Sequence, residues 1–113
     1  MLFRSLGRLE DFPSNTLPGF NERVMAWLPT MIEHRCSIGE RGGFFERLRT
    51  GTWMGHVLEH VTIELQSLAG SVVGYGRARE TATPGVYKVV VEYVEEAFGI
   101  ECMRTAQIGR AHV

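Results

Sequence analysis

Cysteine is scarce in this chain, with only Cys36 and Cys102 among 113 residues. That excludes a disulfide framework and fits a reducing compartment, so a cytoplasmic location is expected. No apolar run approaches the roughly 20 residues of a membrane span. Met1 to Arg8 carries two arginines but no long apolar segment and no small-residue cleavage site. Neither a signal peptide nor a membrane partner is expected. Charge of one sign is also lacking: the net charge is -1, so no global field draws the chain to nucleic acid or lipid. The aromatic–basic interleaving of RNA-binding sheets is missing, and no nucleic-acid partner is expected. Internal repeats, linkers and low-complexity segments are absent. What is there is 44% hydrophobic, enough for one small domain with a modest core.

Periodicity sketches the elements. Ser5 to Phe12 alternates weakly and reads as a short strand or a ragged start; Pro13-Ser14-Asn15 is a turn cluster. Phe20, Val24, Trp27 and Leu28 recur at helical spacing and predict a helix over about Pro18 to Leu28. Met31 to Cys36 is ambiguous. Gly39 to Gly43 is a loop, followed by a short helix over Phe44 to Arg49 that Gly51 ends. Thr52 is the expected N-cap of a longer helix reaching Ala69 and stopping at Gly70. Ser71 to Arg79 and Val86 to Val94 read as strands joined by a Thr83-Pro84-Gly85 turn, able to pair as a hairpin. Glu95 to Gln107 returns to helix, interrupted at Gly99. The fold class expected is α+β, a small antiparallel sheet with helices packed on one face. Ile108 to Val113 matches a translated sequencing adapter, so the natural domain is expected to span 1–107 and 108–113 to be an artefact.

The long helix carries the chemistry. His56-Val57-Leu58-Glu59-His60 reads H-x-x-E-H, the inverted zinc-protease signature. His56 and His60 are four apart and share one helix face, where two imidazoles can grip one metal ion. Glu59 beside them is the candidate general base toward water. Met54, Val57, Leu58, Val61, Leu65 and Leu68 form the expected core stripe. His56, Glu59, His60, Ile63, Glu64 and Ser67 form the opposite side. Such a side is ordinarily a solvated face, but Ile63 in its middle implies a cover. A zinc site needs a third ligand. Glu64, one turn after His60, can reach the same metal; Glu92, Glu95, Glu96, His34 and Cys36 are alternatives that sequence does not separate. Arg47, Arg49, Arg77 and Arg79, with Arg35 and Arg41, suit carboxylate recognition, against the plain alternative of balanced surface charge. Trp27 and Trp53 are expected in the core.

Longer runs then carry a resemblance. Glu33-His34-Arg35-Cys36-Ser37, Gly42-Gly43-Phe44, Gly51 through His60, Glu64-Leu65-Gln66 and Leu68-Ala69-Gly70 stand in order, followed by Gly76-Arg77, Pro84-Gly85-Val86-Tyr87 and Val91-Glu92-Tyr93. Over roughly Leu9 to Gln107 the chain resembles the N-terminal domain of cyanophycin synthetases. These make a storage polymer with an aspartate backbone and an arginine on each side-chain carboxylate. The resemblance implies a parent, expected to be a homo-oligomer, whose ATP-grasp and Mur-ligase-like domains use ATP and magnesium. This chain has no phosphate-binding G-x-x-x-x-G-K-[ST] loop, and the resemblance implies partner ligase domains elsewhere in the parent. The start also looks late, without the family's first strands, which leaves a sheet edge open. By position, His56 and His60 are implied metal ligands and Glu59 the base of a polymer-cutting site that makes primers. The alternatives are a non-catalytic anchoring domain, holding the zwitterionic polymer by Arg47, Arg49, Arg77 and Arg79, and a purely structural one.

Overall fold

The computed structural model describes the backbone of residues 2–5, 13–83 and 86–112, and side chains over 13–83 and 86–109. Its elements run β1 (Leu2–Ser5), α1 (Phe20–Trp27), α2 (Gly43–Thr50), α3 (Met54–Leu68), β2 (Gly76–Glu80), β3 (Val86–Val91) and α4 (Glu96–His112), with short 3-10 turns at Ser14–Thr16, Pro29–Glu33 and Cys36–Ile38. The architecture is α+β. Three antiparallel strands stand in the order β1-β3-β2. In β3, Tyr87 and Val89 are buried while Lys88 between them and Val86 and Val90 on either side are not, the alternation of a sheet covered on one face. Helix α3 packs against β2 and β3, and α4 packs against α3. Phe20, Val24 and Leu28 from α1 and its end, Phe44 and Leu48 from α2, and Met54, Val57, Leu58 and Val61 from α3 close one core over Tyr87 and Val89.

The β2–β3 hairpin is present, with Ala78 opposite Val89, and both strands are shorter than periodicity suggests. Residues 71–74 stay outside the ladder, and Tyr75 joins it only through its carbonyl, which accepts from Glu92 N–H at 2.9 Å. There the Glu92 carboxylate accepts from Gly74 N–H at 2.7 Å and Tyr75 N–H at 3.3 Å, supplying the partner a neighbouring strand would otherwise give. Most of the expected Ser5–Phe12 strand, and Pro84 and Gly85 of the turn, lie outside the described residues. α4 continues through Gly99 to His112. It begins where Glu95 accepts from Ala97 N–H at 3.2 Å and Phe98 N–H at 2.8 Å, a side-chain N-cap.

Helix α3 departs from the simple two-sided reading. Its buried residues include Val57, Leu58 and Val61, but also Glu59, His60, Ile63 and Glu64. The supposed polar side is covered: a Cβ on Gly76 would lie 2.8 Å from Ile63 Cδ1, so β2 crosses over it. Leu68, expected in the core, is 57% exposed, because the last turn runs past the covering elements. Trp53 is likewise 40% exposed, standing at the helix entrance, while Trp27 packs on the core margin. Thr52 does not cap α3; Trp53 holds the N-cap position, with no side-chain cap bond.

Candidate metal centre

Two pieces of chain build the site: the first turns of α3 and the ambiguous segment before α2. That segment is two 3-10 turns, pinned to the start of α2. Gly42 N–H donates to the Ile32 carbonyl at 2.6 Å, and Phe44 N–H to the His34 carbonyl at 2.9 Å. Gly43 permits the contact, since a Cβ there would fall 1.9 Å from the Arg35 carbonyl oxygen. The docking swings His34 and Cys36 over α3. Cys36 carries φ 55°, the only positive φ of a described non-glycine residue. A left-handed non-glycine residue costs energy, and such strain gathers at functional sites.

Ligand atoms of Cys36, His56 and His60 all lie within 4.8 Å of one another. Cys36 Sγ is 3.2 Å from His56 Nε2. The remaining imidazole nitrogens are engaged. His56 Nδ1 sits 2.8 Å from Thr52 Oγ1, and His60 Nδ1 sits 3.0 Å from His34 Nδ1. His34 Nε2 continues to Glu64 Oε2 at 2.7 Å, whose other oxygen accepts from the Thr30 hydroxyl at 2.8 Å. Each helix histidine thus keeps Nε2 for a metal while Nδ1 is oriented, the usual dress of a metal-bound imidazole. Two imidazoles and a thiol are a donor set that zinc favours, with a fourth position open. The residues fit the ion.

Burial tunes the same groups. It pushes the His56 pKa down to about 4, with Arg47 adding to the effect. Burial, then His56 and His34, push His60 down to about 2. Both imidazoles are therefore neutral and ligand-ready at neutral pH. Glu59, 6% exposed, has its carboxyl pushed up to about 7 by burial. Its Oε2 stands 3.6 Å from His60 Nε2. Phe44 stacks on His60 with ring centroids 4.3 Å apart and walls the group from the core.

The site opens into a cleft of about 960 Å³ between α3, the Cys36 turn and β2. Arg47 and Arg77 line it; Arg49 and Arg79 do not. Arg49 pairs instead with Glu46 on the exposed side of α2, and Arg79 stands opposite Lys88. Arg47 keeps a buried Nε without a hydrogen-bond partner. Glu64 is committed to Thr30 and His34. Glu92 and Glu95 bind backbone amides elsewhere, and Glu96 is exposed at the start of α4. Sequence reasoning does not find Thr52, Thr30, Phe44 or Ser14. Ser14 accepts from Thr52 N–H at 3.0 Å and donates to the Leu48 carbonyl at 2.8 Å, so it sets the residue that holds His56. A serine in a Pro-Ser-Asn turn gives no local sign of this.

Comparison with known proteins agrees with the resemblance carried by the ordered runs. The sequence profile described as "Cyanophycin synthase-like N-terminal domain" matches residues 2–109. The cyanophycin synthetase of Crocosphaera subtropica is 55% identical over 98 residues, 87% of this chain and 11% of the relative. That of a Synechocystis strain is 54% identical over 98 residues, again 87% and 11%. A Nostoc cyanophycin synthetase is 54% identical over 101 residues, 89% of this chain and 11% of its own. The chain spans about a ninth of these relatives' length. No helix among the described residues is long and apolar enough to cross a membrane. With its matched length and its ordered motifs, this chain belongs to the cyanophycin synthase-like N-terminal domain family.

Proposed function

We propose that this domain binds cyanophycin and cleaves its aspartate main chain internally at a zinc site, making primers for a parent synthetase. The parent would join aspartate and arginine with ATP and magnesium in its ligase domains. Cys36, His56 and His60 would hold the ion, which when bound supplies Lewis-acid polarisation and acidifies water. The observation that carries the reading is Glu59, buried at the edge of that donor group and facing a cleft of about 960 Å³.

Hydrolysis needs a base for water and an acid for the leaving amine. Glu59 takes a proton from water as its oxygen bonds to the main-chain carbonyl carbon. It returns a proton to the nitrogen as the carbon–nitrogen bond breaks, leaving a carboxylate and an amine. In the metal-free chain burial favours the protonated carboxyl, which helps Glu59 hold the proton that it passes to the nitrogen. Arg47 and Arg77 on the cleft wall would take the polymer's carboxylates; Arg49 and Arg79, outside the cleft, would hold flanking chain at most.

The test is the chain length of soluble cyanophycin on a gel after incubation with this domain and zinc, beside a Glu59→Gln variant. Shortening by the wild type alone is expected. Intact polymer in both lanes, with circular dichroism showing folded protein, overturns hydrolysis and leaves an anchoring domain.

A further inference from the structure

Strand β2 is an edge. β3 lies on one side of it, and among the described residues nothing pairs with the other. Two hydrogen bonds fix which backbone groups face that open side. Thr81 N–H donates to the Val86 carbonyl at 3.2 Å, and Glu92 N–H to the Tyr75 carbonyl at 2.9 Å. Both pairs continue the register that sets Ala78 opposite Val89. Hydrogen-bonded pairs alternate along an antiparallel ladder. Arg77 and Arg79 therefore turn their N–H and C=O toward β3, and Gly76, Ala78 and Glu80 turn theirs outward.

An open edge of this kind invites pairing unless it is blocked. Here it borders the cleft, which Gly74 to Ala78 and Glu80 line. It also stands beside the proposed base: a Cβ on Gly76 would come 2.7 Å from Glu59 Cγ and 3.0 Å from Oε2. A Cβ on Gly74 would meet nothing within 4 Å, so a bulky branch passing there has room. Outward-facing amides, open space and a carboxyl thus lie together on one wall.

We propose that the open edge of β2 is the main-chain subsite, onto which an extended α-peptide backbone adds as a further strand. Backbone groups of Gly76, Ala78 and Glu80 exchange hydrogen bonds with it, and the bond to be cut comes to lie beside Glu59. Pairing of this type reads main chain, not side chain. It suits a polymer whose residues all carry the same branch, since alternate branches point to opposite faces of an added strand. The proposal rests on the hydrolytic reading above.

The test uses the whole chain as a Glu59→Gln variant with zinc, and a synthetic aspartate oligomer bearing arginine on each side chain. Amide hydrogen exchange is followed by NMR with and without the oligomer. Exchange at Gly76, Ala78 and Glu80 is expected to slow at least tenfold, with Arg77 and Arg79 unchanged. An Ala78→Pro variant, which removes one outward N–H at a position where edge strands tolerate proline, should weaken oligomer binding about tenfold at unaltered zinc affinity. Binding without protection at these three amides overturns the edge subsite and leaves the hydrolytic reading standing. Neither binding nor wild-type cleavage of the oligomer overturns both.

Discussion

Glu59 is held where an ionised carboxylate is poorly solvated, and that has a measurable signature. Its folded pKa of about 7 lies above the ordinary 4.5. Between those values the folded chain keeps a proton that the unfolded chain has released. The metal-free protein therefore loses stability as pH rises through that window. Glutamine has no proton to lose, so metal-free Glu59→Gln should gain on the wild type between pH 5 and pH 8, by up to about 3 kcal/mol. The depressed imidazoles of His56 and His60 act in both proteins and cancel in the difference. Paired denaturant titrations across pH check this, and a pH-independent difference would refute it. The third ligand is a second residue-scale question. With cobalt in place of zinc, the wild type should show a near-ultraviolet thiolate charge-transfer band that Cys36→Ser lacks and Glu64→Gln keeps. His34→Ala should retain the band but weaken zinc binding about 10- to 100-fold, because it frees the Nδ1 side of His60; competition with a chelating dye measures it.

The elements divide by how local their causes are. Helix α1, helix α2 and the hairpin are legible because their periods of 3.6 and 2 are written in neighbouring residues. The H-x-x-E-H pair is legible for the same reason, as one turn of helix brings its histidines together. Cys36 is 20 residues before His56 and meets it only because the start of α2 docks on residues 32–35. No periodic signal records that docking, so Cys36 cannot be told from Glu64 or Glu92 in sequence. The two-sided reading of α3 fails for a related reason: β2, which covers Glu59 and Ile63, reaches them through a long-range crossing. Gly43 is the close-contact point at this scale. Alanine there would put a Cβ 1.9 Å from the Arg35 carbonyl oxygen, a contact that only backbone movement relieves. Gly43→Ala should destabilise the domain by about 1–3 kcal/mol. It should also weaken zinc binding, because Cys36 moves with Arg35. A mere loss of stability, with zinc affinity intact in the folded fraction, would show that the Cys36 turn is held by other contacts.

At the scale of the molecule, the proposed ion would join pieces of chain that lie far apart in sequence. Cys36 is half-exposed on a short 3-10 turn, whereas His56 and His60 belong to the buried central helix. The groups of the site also strain the metal-free fold, through two desolvated imidazoles, the desolvated Glu59 carboxyl and a cysteine at positive φ. A cation among them relieves the carboxyl and uses the neutral imidazoles as they stand. Zinc should then bind the folded chain far better than the unfolded one. Stabilisation by mass action is about 2.7 kcal/mol at a free zinc concentration 100 times Kd, which in a domain of this size raises the melting temperature by roughly 10 to 20 °C. A chelator should reverse the shift. Magnesium should not reproduce it, since it prefers an all-oxygen octahedral shell to a thiolate and imidazoles. Calorimetry with zinc, magnesium and chelator in parallel decides the matter. Equal melting temperatures in all three would mean that the folded chain has no preference for the ion, and the donor group of Cys36, His56 and His60 would then be a packing arrangement with its polar atoms satisfied by one another.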